Sequence, residues 1–197
     1  MNQKKTISTL IVLGSGKYDH FSTSSSCQSG HLGGHTTEMF RLLSGTDPNV
    51  YKPRHYMIAS TDKMSAKKMN EFERNTLEDM DVTFINRSRH VGQSYISSVF
   101  TTLWAFFTVI PFVYRIRPKL ILINGPGTCI PIVIASLLLS ILFLIRRPKI
   151  VFVESICRVQ SLSLTGKILQ YLPVNILVQW PQLTERYPKT QYIGRLV

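Results

Sequence analysis

Ile7-Ser8-Thr9-Leu10-Ile11-Val12-Leu13-Gly14-Ser15-Gly16 decides how the rest of the chain is read. A short apolar run that stops at a glycine-rich turn reads as a strand buried on both faces, entering a loop. Strands of that kind belong to parallel sheets covered by helices. Working outward, residues 35–43 read as a helix with Met39, Leu42 and Leu43 on one face, and 55–59 as a second strand. Asp62 is a good N-cap for a charged, exposed helix running to about Glu78. Residues 82–85 read as a third strand. A fourth, 120–123, runs into Asn124-Gly125-Pro126-Gly127, a fifth, 150–153, ends at Glu154-Ser155, and 176–179 is a sixth. Strands alternating with helices give an α/β fold, a doubly wound parallel sheet of Rossmann-like type, expected as one domain over residues 1–197. Ligands of such sheets bind beyond the carboxyl ends of the strands. Three polar or glycine-rich turns fall there: 14–16, 124–127 and 154–158.

The 197 residues are 44% hydrophobic and only 17% charged, against about 25% charged in an average soluble chain. Global disorder is excluded. Lys and Arg number 23 against 11 Asp and Glu, a net charge of +12. The basic residues are scattered and carry no zinc-finger, RRM or basic-zipper pattern, so no nucleic-acid partner is expected. An anionic membrane surface or a phosphate-bearing substrate suits the charge as well. Cys27, Cys129 and Cys157 are an odd set without CxxC spacing, so a metal site and a disulfide framework are both unsupported. No cofactor is implied.

Two segments are unusually apolar. Residues 91–114 hold no charge in 24 positions and include Trp104, Phe106, Phe107 and Phe112, and residues 120–145 hold none in 26. Their helical parts are either buried core helices or membrane-contacting ones. A span needs about 20 apolar residues. A helix joining two strands of one sheet cannot easily cross a bilayer, so helices lying in the interface are the expected form of contact. Arg115, Arg117, Arg146 and Arg147 would then meet lipid phosphates. Residues 17–33 are polar and serine-rich, and are expected as an irregular, exposed insertion in the first strand-to-helix turn. Removing them joins Gly14-Ser15-Gly16 to Gly34-His35-Thr36-Thr37-Glu38-Met39, and codons at both seams permit splice signals. A retained intron and a lid over the site are the two readings of this segment.

Glycines let a backbone approach a phosphate, and a helix N-terminus adds free N–H groups and positive potential. Gly14-Ser15-Gly16 fits such a site or a plain turn, and matches neither GxGxxG nor GxxxxGK[ST]. His35, at the start of the following helix, is either a proton acceptor kept neutral by the helix dipole or a capping residue. Glu38 reads as ordinary dipole compensation. Glu154 and Arg158 either hold a hydroxyl-rich ligand or form a structural pair. Arg87 and Arg89 either meet a pyrophosphate or face solvent.

Gly34-His35-Thr36-Thr37-Glu38-Met39, Asn86-Arg87-Ser88-Arg89 with Gly92-Gln93-Ser94-Tyr95, Asn124-Gly125-Pro126-Gly127-Thr128-Cys129-Ile130-Pro131, Val153-Glu154-Ser155-Ile156-Cys157-Arg158-Val159, Val178-Gln179-Trp180-Pro181 and Tyr192-Ile193-Gly194-Arg195-Leu196-Val197 together resemble one family. It is the membrane-anchoring subunit of the eukaryotic UDP-N-acetylglucosamine (UDP-GlcNAc) transferase that makes dolichyl-diphosphate chitobiose. That family is similar to the amino-terminal, acceptor-binding half of GT-B glycosyltransferases.

The resemblance implies a heterodimer in which a separate catalytic subunit binds UDP-GlcNAc, while this chain binds GlcNAc-diphosphate-dolichol on the cytosolic face of the endoplasmic reticulum membrane. It implies His35 as the candidate base. Ser15, Gly16, Gly34, Thr36, Arg87 and Arg89 would contact the acceptor diphosphate. Asn124, Gly125, Glu154 and Arg158 would line the cleft, and Arg195, Leu196 and Val197 would dock the partner. A purely non-catalytic membrane scaffold is the alternative, and a self-sufficient nucleotide-binding Rossmann enzyme a weaker one. Family members commonly carry a membrane helix before the first strand, where this sequence has six residues, so anchoring is expected on 97–112 and 128–145. The carboxyl terminus, apolar enough to want a binding surface, is expected to dock the catalytic partner, with folding back on its own sheet as the alternative.

Overall fold

The computed structural model describes residues 6–14, 34–60, 62–74, 80–85, 95–125 and 129–196, with the backbone alone for 95–101. In chain order the elements are β1 (Thr9–Leu13), α1 (His35–Ser44), β2 (Arg54–Ala59), α2 (Lys63–Glu73), β3 (Met80–Ile85), α3 (Tyr95–Ile116), β4 (Leu120–Asn124), α4 (Cys129–Ile141), β5 (Lys149–Val153), α5 (Leu164–Leu169), β6 (Asn175–Val178), α6 (Pro181–Arg186) and β7 (Thr190–Tyr192). The strands form one parallel sheet in the order β3-β2-β1-β4-β5-β6-β7. This is the doubly wound α/β arrangement expected from the alternating pattern. The chain winds outward from β1 to β3, returns through α3 to β4, then winds the other way. The switch point therefore lies between β1 and β4, where Leu13 is paired with Asn124.

The continuous apolar strands are explained by burial on both faces. On one face Ile11, Leu13, Tyr56, Ile58 and Leu122 meet Met39, Phe40 and Leu43 of α1 and Met69 of α2. On the other, Leu10, Val12, Ile121, Ile123 and Phe152 meet Val109 and Val113 of α3, Ile132 and Val133 of α4, Leu169 of α5 and Leu183 of α6. Each such side chain contributes about 1.5–3 kcal/mol when fully buried. The α1–α2 layer reaches only the near edge of β5, where Val153 is fully buried, and stops short of β6 and β7. Along β5 to β7 the same sheet face carries Val151 and Leu177, half-buried, among the exposed Lys149, Asn175 and Gln191.

α2 runs to Glu73 with Arg74 as its C-cap, and residues 75–78 of the expected helix lie outside the described residues. One helix boundary and the carboxyl-terminal tail differ from the sequence reading. α4 ends at Ile141, short of 145, because Phe143 takes a left-handed conformation (φ 56°) and the Leu144 N–H turns back to the Leu139 carbonyl, 2.9 Å away. That reversal is a helix-ending motif ordinarily built on glycine. The carboxyl-terminal tail folds back on its own sheet: β7 pairs with β6, and the Ile193 N–H donates to the Val178 carbonyl.

α3 and α4 pack together, each with one buried stripe and one exposed apolar stripe. Ala105, Val109 and Val113 face inward, whereas Trp104 is 67% and Phe107 60% exposed. At the end of α4 and just beyond it, Ile141, Leu142, Phe143 and Leu144 are all exposed, Phe143 at 95%. Among the described residues no helix is long and apolar enough to cross a membrane. The expected insertion at 17–33 lies outside the described residues.

Candidate active site

The site begins at the N-terminus of α1. Gly34 is its N-cap, in an extended conformation, with its carbonyl accepting from the Thr37 and Glu38 amides. With no side chain on the cap, the first amides of the helix face the switch point, the geometry that favours an anion. His35 follows at the first helical position. Its Nδ1 lies 2.8 Å from the Asn124 side-chain oxygen at the end of β4. Gly125, next in the chain, has φ 114°, and a Cβ there would sit 3.3 Å from His35 Cγ. The imidazole thus lies against bare backbone. A side chain at Gly125 would be strained in conformation and crowded by the ring.

Glu38, one turn along α1, is fully buried. Asn124 Nδ2 donates to its Oε2 at 3.0 Å, and the Ile156 amide and the Ser155 hydroxyl lie 3.1 and 3.2 Å from its Oε1. The dipole-compensation reading of Glu38 missed this. The carboxylate joins the ends of β4 and β5 to α1 through residues 86 to 118 positions away, which local sequence does not reveal.

Glu154, after β5, is buried, and turns inward. The Ser155 amide donates to its Oε1, and the Ser163 amide and hydroxyl donate to its Oε2 at 2.8 and 2.9 Å. Burial raises its carboxyl above the usual carboxylate range, opposed by the Ser163 and Ser155 hydrogen bonds and by the Arg158 charge. Its oxygens fold the 155–163 loop, and Arg158 stands exposed at the surface of that loop. Thr36 also turns inward, its Oγ1 2.6 Å from Ser65 Oγ, tying α1 to α2. Thus His35, Gly34, Asn124 and Gly125 come together, and Glu154 and Thr36 brace the elements that carry them. Ser15, Gly16, Arg87 and Arg89 lie outside the described residues. Among those described, no cluster of His, Cys, Asp or Glu could hold a metal ion.

The family model for "Oligosaccharide biosynthesis protein Alg14 like" matches residues 29–196. The chain belongs to the Alg14-like family. It is 51% identical over 174 residues to the "UDP-N-acetylglucosamine transferase subunit ALG14" of Mus musculus, covering 84% of this chain and 79% of the mouse protein. It is 42% identical over 168 residues to the subunit of that name from Yarrowia lipolytica, covering 84% and 77%. Among solved structures, MurG of Acinetobacter baumannii superposes with a TM-score of 0.59 at 12% identity, covering 88% of this chain and 42% of that one. The last likeness is one of fold. The chain spans under half of the MurG chain.

In this Alg14-like chain the tail is wired to the site. Arg195 lies over the Trp180 ring, 4.2 Å from its centroid, and the Leu196 amide donates to Gln179 Oε1 at 2.9 Å. Gln179 Nε2 donates to the Glu154 carbonyl and Trp180 Nε1 to the Ile156 carbonyl. Ile156 in turn donates to Glu38. Arg195 and Leu196, expected to dock a partner, thus contact their own sheet's loops. Val197 lies outside the described residues.

Proposed function

We propose that this chain is the acceptor-binding, membrane-associated subunit of a two-chain inverting UDP-GlcNAc transferase. It binds GlcNAc-diphosphate-dolichol on the cytosolic face of the endoplasmic reticulum membrane, and a separate catalytic subunit binds UDP-GlcNAc. The observation that carries the reading is the His35 imidazole held at the switch point of an Alg14-like sheet, beside the N-terminus of α1. The α1 amides meet the acceptor diphosphate, and Ser15, Gly16, Arg87 and Arg89 are its further contacts in this proposal. The sugar 4-hydroxyl faces His35, which accepts its proton as the oxygen attacks the anomeric carbon. Asn124 and Gly125 form the floor of the cleft, and Arg158, on the loop that the buried Glu154 anchors, its wall.

Membrane contact is monotopic in this account. Both ends of α3 join strands of one sheet, so both lie on the same side of any bilayer. The exposed stripe of α3, with Ile141, Leu142, Phe143 and Leu144, supplies apolar area, and Arg115, Arg117, Arg146 and Arg147 meet anionic headgroups. The partner docks along the carboxyl-terminal edge, where Tyr192 and Ile193 are exposed beside the half-covered face of β5 and β6.

Co-expression with the donor-binding subunit tests the reading. Membranes holding both chains are expected to transfer GlcNAc from UDP-GlcNAc to a GlcNAc-diphosphate-lipid, and membranes holding either alone are not. Transfer by the partner alone, at the rate of the pair, contradicts it.

A further inference from the structure

We propose that Glu38 and Asn124 are positioning residues for His35: a buried carboxylate–amide–imidazole relay that keeps the ring proton on Nδ1 and the free electron pair on Nε2, toward the acceptor hydroxyl. The proposal rests on the reading of His35 as the base. Its warrant is the order in which donors and acceptors must alternate. A carboxylate only accepts, so the edge of Asn124 that lies 3.0 Å from Glu38 Oε2 is its NH₂ group. The amide oxygen then faces His35 Nδ1 at 2.8 Å, and an oxygen there only accepts. Nδ1 therefore carries the proton, and in the neutral ring Nε2 is left as the proton acceptor. Glu38 cannot turn away, because its other oxygen accepts from the Ile156 amide and the Ser155 hydroxyl. The bare backbone of Gly125 lies close against the ring. His35 alone of the three is partly open, with its side chain 22% exposed and those of Glu38 and Asn124 buried.

The relay also supplies a counter-charge. In the transfer step the hydroxyl oxygen bonds to the anomeric carbon, and the bond from that carbon to UDP breaks with its electron pair on UDP. The hydroxyl proton moves to Nε2 and is later lost to water. His35 is then an imidazolium whose Nδ1 is 3.9 Å from Glu38 Oε2. A buried carboxylate at that distance stabilises the charge as it develops.

Two substitutions separate the relay from a merely structural role. In Glu38→Gln the new amide presents its NH₂ to Asn124, which rotates to offer its oxygen. Asn124 then offers its NH₂ to His35, and the ring proton moves to Nε2, where the base is lost. In Asn124→Asp the Nδ1–H still has an acceptor, and a second carboxylate stands beside the ring. The test uses the full chain assembled with its partner in membranes. It reads kcat and KM for GlcNAc transfer between about pH 5 and 8, the range in which an imidazole titrates. It also reads peptide-resolved carbethoxylation of His35 by diethyl pyrocarbonate, which needs no turnover.

Glu38→Gln is expected to lower kcat by about 10²-fold or more with KM little changed, and to slow carbethoxylation of His35. Asn124→Asp is expected to keep more activity than Glu38→Gln, and to move the acid limb of both profiles to higher pH. Unchanged limbs and unchanged carbethoxylation in both variants overturn the relay. Altered carbethoxylation with a transfer profile indifferent to both variants overturns the proposal through its premise, that His35 is the base. If Glu38→Gln does not fold, Asn124→Asp decides alone by the direction of its shift.

Discussion

Gly166→Ala probes the brace beneath the site. In an ordinary helix this change stabilises by about 1 kcal/mol, because alanine restricts the unfolded chain and glycine does not. Here a Cβ would stand 2.6 Å from Glu154 Oε2, where ordinary contact begins at 3.4 Å, and it would also press Leu162 at 3.3 Å. The carboxylate cannot retreat freely, since the Ser163 amide and hydroxyl both donate to that same oxygen. Hydrogen bonds to a charged group are worth about 1.5–3 kcal/mol each, and leaving a buried partner unsatisfied costs a similar amount. Weakening both bonds outweighs the helix gain and leaves a net loss of about 2–4 kcal/mol. For a chain of this size that lowers Tm by roughly 5–15 °C. Thermal unfolding of the purified chain in detergent, beside wild type, measures it. Gly45→Ala serves as the control, because Gly45 has φ −80° and a Cβ there would only touch the Leu42 carbonyl at 3.5 Å. A Gly166→Ala protein as stable as wild type, or more so, refutes the account of Glu154 as the loop's anchor.

Phe143→Gly relieves a left-handed residue and is expected to raise stability by about 1 kcal/mol while weakening flotation with anionic vesicles; unchanged flotation counts against the membrane face. Burial lowers the His55 titration below its ordinary value, against the pull of Asp81. The unfolded chain then takes up a proton first as pH falls through about 6.5, so stability declines below that pH; in denaturant titrations His55→Asn should flatten this slope, and parallel slopes refute it. Burial pushes the Cys129 thiol up to about 12, so native alkylation should spare it until denaturant is added. Deleting residues 195–197 removes the Arg195–Trp180 and Leu196–Gln179 contacts and is expected to release the partner from membranes while the sheet stays folded; partner retained at wild-type level contradicts the docking edge.

β1 and β4 were legible because both their faces are buried, so Leu10 to Leu13 and Ile121 to Ile123 are apolar without interruption. α5, α6 and β7 were not. Each is six residues or fewer, too short for a period, and is fixed by single caps such as Ser163 Oγ accepting from the Gly166 amide. The helix-breaking turn at Phe143 was hidden because phenylalanine rarely takes that conformation. At the site, Asn124 and Gly125 were found from a turn at a strand end, His35 from its place at the start of a helix, and Gly34 from the family resemblance. Glu38 was seen in the sequence but misread, since its first-turn position has an ordinary explanation and its real partners lie on β4 and after β5. Glu154 and Thr36 were expected to face a ligand, and they face inward because their hydrogen bonds hold neighbouring elements.

His35→Ala distinguishes a chain that contributes chemistry from one that is only a platform. Membranes carrying the assembled pair are assayed for GlcNAc transfer to a GlcNAc-diphosphate-lipid, with the amount of membrane-bound partner measured in the same samples. The account predicts that transfer falls by about 10²- to 10⁴-fold, the worth of a positioned base, while the bound partner is undiminished. Transfer at the wild-type rate with the partner still bound would contradict it and leave a scaffold.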